Sequence, residues 1–213
     1  MKAFDLNVVP GFLRFDLPIA DEGALREMVS QAVQTAPPHV FASVASGLHA
    51  GILGMFDHLV ADGCFLVFLA SPKSLFAASQ PMLAFRQCEA EIASDPMTAL
   101  SALAASNSSA VILDIDPAVC LRTHQIIEID MASSLQRAED EFDIRDSEGR
   151  LDGIDMHRLT AIYTLGVPGE PDSWFEAVGV MNLPAEAGQE PDQAAALGLF
   201  DGIMTTFRWC NDA

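Results

Sequence analysis

Between residues 111 and 183 the chain repeatedly places an apolar side chain at every second position, and this rhythm limits its possible folds more than any other feature. Leu159, Ala161, Tyr163, Leu165 and Val167 share one side of one segment, and Phe175, Ala177, Gly179, Met181 and Leu183 share one side of the next. A period of two belongs to a strand with one buried face, because successive side chains on a pleated backbone point to opposite sides. Pro168-Gly169-Glu170-Pro171-Asp172-Ser173 provides the turn between them. Upstream, Val111–Ile115 is apolar, and Val119, Leu121, Ile127, Ile129 and Met131 fall on one side of a further strand, with Arg122, His124, Glu128 and Asp130 on the other. These segments predict a twisted antiparallel meander with one buried face.

The remaining segments supply helices and more strand. After the polar stretch 184–190, Asp192 stands where an N-cap belongs, and Leu197, Phe200, Met204 and Phe207 follow at near-helical spacing with Trp209 beyond, so a last helix is expected to lie across the sheet. Residues 11–17 alternate and stop at Pro18, which suits an edge strand. Asp21 reads as the cap of an amphipathic helix carrying Leu25, Met28, Val29, Ala32 and Val33, ended by Pro37 and Pro38. From residue 39 to 61, Val40, Val44, Leu48, Ile52, Phe56 and Val60 recur every fourth position, predicting a long and largely buried helix whose glycines 47, 51 and 54 allow close backbone packing. The unbroken apolar run 63–70 predicts a strand covered on both faces and near the sheet centre. Within the less patterned region 71–110, residues 82–85 suit a strand, and Asp95-Pro96 resembles the start of a helix reaching Ala105. Helices early and late around an antiparallel sheet make an α+β architecture, with residues 1–213 expected to form one domain.

Eleven basic against thirty acidic residues give a formal charge of −19. A nucleic-acid backbone would be repelled over most of such a surface, so nucleic acid is excluded as a partner, whereas a basic protein is compatible. Half the residues are hydrophobic and 19% are charged, outside the composition of disorder. The first twelve residues lack the apolar stretch of a signal peptide, and no apolar run reaches the roughly 20 residues of a membrane span, so the expectation is a cytoplasmic protein without a membrane segment. Cys64, Cys88, Cys120 and Cys210 form no C-x-x-C pair, and reduced structural thiols are expected.

The stretch from Arg158 to Trp209, with its strand Arg-Leu-Thr-Ala-Ile-Tyr, proline turn, second long strand and final Leu-Phe-Asp-Gly-Ile-Met-Thr-Thr-Phe-Arg-Trp, resembles a family of uncharacterised actinobacterial proteins and, through it, the Mog1/PsbP-like fold. Phe200, Ile203, Phe207 and Trp209 carry the likeness as core anchors. The resemblance implies a twisted antiparallel sheet flanked by helices and a role as adaptor, chaperone or accessory subunit. It brings no catalytic residue and no cofactor.

Tested for chemistry, the sequence contains no G-x-S-x-G elbow, no phosphate loop and no dinucleotide fingerprint. His49 and His58 lie about half a turn apart around one helix and cannot share an ion. His124 with Glu128, and His157 on the neighbouring strand, form the better candidate for a small-molecule or metal pocket, set against solvated sheet-face residues as the ordinary alternative. The acidic run Glu139-Asp140-Glu141-Phe142-Asp143 is the candidate partner-binding segment, with Phe142 as an apolar anchor among charges, and a solvated loop is the ordinary reading. An EF-hand there fails, because Gly149 would put Ile144 at the first liganding position. These readings favour a non-enzymatic protein-interaction module, an adaptor, dedicated chaperone or immunity-like partner with a link to secretion as one option, over an enzyme, a small-molecule-binding or a metal-binding protein.

Overall fold

The computed structural model describes residues 3–34, 41–89, 96–115, 118–130, 154–167, 170–186 and 188–210. In chain order the elements are β1 (Phe4–Asp5), β2 (Phe12–Asp16), α1 (Gly23–Ala32), α2 (Phe41–Ala61), β3 (Cys64–Ala70), β4 (Met82–Glu89), α3 (Pro96–Ser106), β5 (Val111–Ile115), β6 (Ala118–Ile129), β7 (Ile154–Val167), β8 (Glu170–Glu186), α4 (Gln193–Met204) and β9 (Arg208–Trp209). The fold is α+β, as the residue pattern predicts, and its main sheet has seven strands in the order β2-β3-β4-β8-β7-β6-β5, antiparallel at every pairing. β5 to β8 form a meander, and β4 joins it to β3 and β2 by pairing with β8. β2 lies at one edge, as its ending at Pro18 implies, and β3 is second from that edge, away from the centre that its apolar run suggests.

One face of the sheet packs against α4. Leu83, Phe85, Leu159, Ala161, Tyr163, Leu165, Phe175, Ala177, Met181 and Leu183 meet Ala196, Leu197, Phe200, Ile203 and Met204 there. α4 starts where Asp192 Oδ1 accepts the amides of Ala194 at 3.1 Å and Ala195 at 3.3 Å, the capping that its sequence predicts. It comes so close to β8 that a Cβ at Gly179 would lie 2.9 Å from the Phe200 ring. β1 and β9 pair as a separate two-stranded ribbon, with Phe4 opposite Trp209. This ribbon closes an aromatic cluster in which the Phe4 ring centroid lies 4.9 Å from Phe175 and 5.2 Å from Phe207.

The opposite face is covered at its two ends. α1 and α2 pack over β2, β3 and β4 through Leu25, Met28, Val29 and Phe56 against Phe15, Cys64, Val67 and Ala84, so β3 is indeed apolar on both sides. α3 contributes Leu100, which meets Leu121 and Trp174. Between these helices Val178, Val180, Thr160 and Ile162 stay half-buried. The meander is therefore roofed on its α4 face over β7 and β8, with Glu128 at the far end of β6 left exposed, and partly roofed on the other face, where the sequence suggests burial on one side alone.

Two expectations about burial are corrected. α2 is the long helix that the four-residue repeat predicts, but Phe56 is its one buried residue among those described, and Phe41, Leu48 and Val60 are 38%, 37% and 37% exposed. A methyl group added at Gly51 or Gly54 would meet nothing within 4 Å, so no neighbour among the described residues requires those glycines. On β6, the polar side faces the core. Arg122, His124, Ile126 and Glu128 project to the α4 face opposite Tyr163, Ala161, Leu159 and His157, while Ile127 on the other side is 50% exposed.

Candidate functional site

The segment from Glu139 to Asp143, with Asp140, Glu141 and Phe142 within it, lies outside the described residues. The second sequence candidate divides. Register places Glu128 directly opposite His157, whereas His124 lies opposite Ala161, four positions further along β6. At about 3.3 Å per residue that offset exceeds the reach of a shared first coordination shell. Among the described residues no group of three or more His, Cys, Asp or Glu side chains converges on a point where a metal could sit.

A different set of polar groups is brought together beneath α4. Asp201 reaches from the helix to the sheet, where its Oδ1 accepts the Tyr163 hydroxyl at 2.8 Å and its Oδ2 accepts Arg122 Nη1 at 2.5 Å. Tyr163 is fully buried and the Arg122 side chain is 10% exposed. The registers explain the geometry, because Arg122 and Tyr163 are opposite each other on β6 and β7. Asp201 stands four residues after Leu197 and three before Met204, on the apolar stripe of α4. A lone carboxylate on that stripe, together with an arginine in a strand, was the available sequence signal.

The cluster is unsuited to nucleophilic chemistry. Burial, with the Asp201 carboxylate nearby, pushes the adjoining Cys120 thiol up to about 12, so it stays protonated and weakly nucleophilic at neutral pH. Burial and the hydrogen bond to Asp201 likewise raise the Tyr163 phenol above its ordinary range. The arrangement fastens α4 to β6 and β7 and satisfies two buried donors with one carboxylate. Cys64, Cys120 and Cys210 are free thiols, in line with the expectation for those three positions.

The surface that stands out is α2. Seen down its axis with about 100° per residue, Phe56, Ile52 and Ala45 point inward, and Ser43, Gly47, Ala50, Gly54 and Ala61 mark the opposite side. Surface helices of globular proteins normally carry charge on that side. In α2 the only carboxylate is Asp57, and there is no lysine or arginine. By length and composition this 21-residue helix could cross a bilayer, and only 6% of its apolar window is buried. Beside it, Arg26, Val29, Ser30, Phe41, Ala45, Ser46 and His49 line an open groove of about 390 Å³ between α1 and α2. At its rim Glu22 Oε2 lies 3.1 Å from Arg26 Nη2 and 3.3 Å from His49 Nε2.

No model of a known protein family matches the chain, and no curated protein resembles it significantly.

Proposed function

We propose that this protein is a non-enzymatic interaction module, an adaptor, dedicated chaperone or immunity-like partner, that engages a basic protein through the outer side of α2 and the adjoining groove. The observation that carries the reading is the exposed, nearly uncharged side of a 21-residue helix on a chain whose formal charge is −19. Covering that side with another protein removes apolar surface from water and gives the glycines a neighbour. The acidic remainder of the surface steers a positively charged partner toward it. The proposal also groups the domain with Mog1/PsbP-like layer architectures, with which the seven-stranded antiparallel sheet and its helices on both faces are compatible, and it includes a link to secretion.

Capture from the native host with tagged protein tests the reading, with wild type compared against Ala50→Glu, which places a charge on the exposed outer side of α2. A partner held by wild type and lost by the variant, at unchanged melting temperature, supports it. Identical partner sets overturn it. A charge-reversed variant of Glu139, Asp140, Glu141 and Asp143 reports separately on the acidic segment. Flotation with neutral phosphatidylcholine vesicles covers the competing reading of α2, since vesicle binding lost in Ala50→Glu would assign that helix to a lipid surface.

A further inference from the structure

β6 outruns its outer neighbour. It pairs with β7 as far as Ile129 but with β5 only from Ala118 to Arg122, so beyond that point no described strand lies along its outer edge. The amide and carbonyl of successive strand residues face opposite edges, and Ser109 identifies the outward set. Its hydroxyl donates to the His124 carbonyl at 2.8 Å and accepts the His124 amide at 3.0 Å. Two-residue alternation then turns the amides and carbonyls of Ile126 and Glu128 outward, while those of Gln125 and Ile127 face β7. No described group bonds the outward pairs at Ile126 and Glu128.

An open edge of this kind is normally blunted by lysine, proline or a bulge. The other edge strand, β2, is five residues long, carries an Arg14–Asp16 ion pair and runs into Pro18. The stretch of β6 beyond its pairing with β5, Thr-His-Gln-Ile-Ile-Glu-Ile, contains neither lysine nor proline. Ile127 on it is 50% exposed, and Ile112 on adjoining β5 is 54% exposed. The one carboxylate on this stretch is the exposed Glu128. A second copy would bring another −19 surface and another Glu128 to the junction, which charge repulsion opposes.

We propose that the outer edge of β6 at Ile126 and Glu128 accepts one extended strand from a basic partner protein by main-chain pairing, with an apolar side chain over Ile127 and a lysine or arginine beside Glu128. Strand addition of this type takes affinity from backbone bonds and selectivity from alternate side chains. The inference rests on the interaction-module reading for the class of ligand, but uses a different surface from α2. Ala50→Glu leaves this edge intact, so the two proposals fail separately.

The probe is a blocked octapeptide alternating lysine and valine, added to the full chain and followed by residue-resolved amide hydrogen exchange. At saturating peptide, exchange at Ile126 and Glu128 is expected to slow about tenfold or more, while Gln125 and Ile127, already bonded to β7, change little. A peptide N-methylated at alternate residues on its bonding edge loses the effect. Glu128→Lys weakens binding about two- to fivefold and leaves melting unchanged. Slow exchange at Ile126 and Glu128 in the free monomer, or peptide binding with no added protection there, overturns the proposal. Peptide-independent protection that grows with protein concentration, alongside a dimer in sedimentation, also overturns it by making the occupant a second copy.

Discussion

Replacing Asp201 by alanine tests how α4 is held. The truncation removes the acceptor of two groups at once, a guanidinium whose side chain is 10% exposed and the hydroxyl of a fully buried tyrosine. Leaving one member of a buried ion pair alone costs about 3–5 kcal/mol. The Asp201 side chain is 27% exposed, so water reaches the vacated position and the lower end of that range applies. An orphaned phenol would add about 1–3 kcal/mol if it stayed dry, but the same water serves both groups and the two costs overlap. The expected loss for Asp201→Ala is therefore about 3 kcal/mol. Tyr163→Phe removes a donor while Asp201 keeps Arg122, and is expected to cost about 1 kcal/mol. In the double variant Arg122→Met/Asp201→Leu the ion pair gives way to apolar contact, and much of the single-variant loss should return. Urea unfolding with unchanged slope measures each value. A loss below about 1 kcal/mol for Asp201→Ala, or a Tyr163→Phe loss equal to it, would refute the view that this carboxylate serves both donors.

Three further outcomes follow from the packing. Gly179→Ala sets a methyl group against the Phe200 ring at 2.9 Å and is expected to destabilise by about 1–3 kcal/mol, whereas Gly54→Ala meets open space and should stabilise by up to about 1 kcal/mol through helix propensity. Equal effects of the two in thermal melts would contradict the assigned surroundings. Because burial raises the Cys120 thiol to about 12 and the Tyr163 phenol upward as well, the folded chain keeps protons that the unfolded chain has released. Stability should therefore decline as pH rises from about 9 towards 12, with no contribution from these groups below that window. A flat melting temperature across it would count against their burial. Thiol labelling of the folded protein should modify half-buried Cys210 before Cys120, which is 0% exposed, and the reverse order would mean that α4 opens readily.

The sequence pattern was most informative where a single neighbour decides burial. β7 and β8 run beneath α4, so Leu159 to Val167 and Phe175 to Leu183 alternate cleanly and their inward faces are legible. β6 misleads because two roofs act on it. α3 covers Leu121 on one face, while on the other Asp201 neutralises Arg122, and no count of apolar residues anticipates a buried guanidinium whose carboxylate lies 79 residues away. α2 was legible as a helix but not as an exposed one, since a wide apolar stripe has the same periodicity whether water, a partner or the core lies against it. The acidic candidate at Glu139 to Asp143 falls outside the described residues. The β6 edge had no sequence signature of its own, because it arises from the mismatch between a five-residue strand and a twelve-residue one.

The ribbon that joins Phe4 to Trp209 places the timing of folding under the control of translation. A nascent chain that has not yet produced residue 209 holds Phe4 with no strand to pair with, and Phe175 lacks the indole that stands edge-on to it at 5.3 Å. Ribosome-bound intermediates should consequently keep a sticky aromatic seam until synthesis passes that point. Proteolytic removal of Arg208 and Trp209 should loosen Phe4 and Asp5 as well.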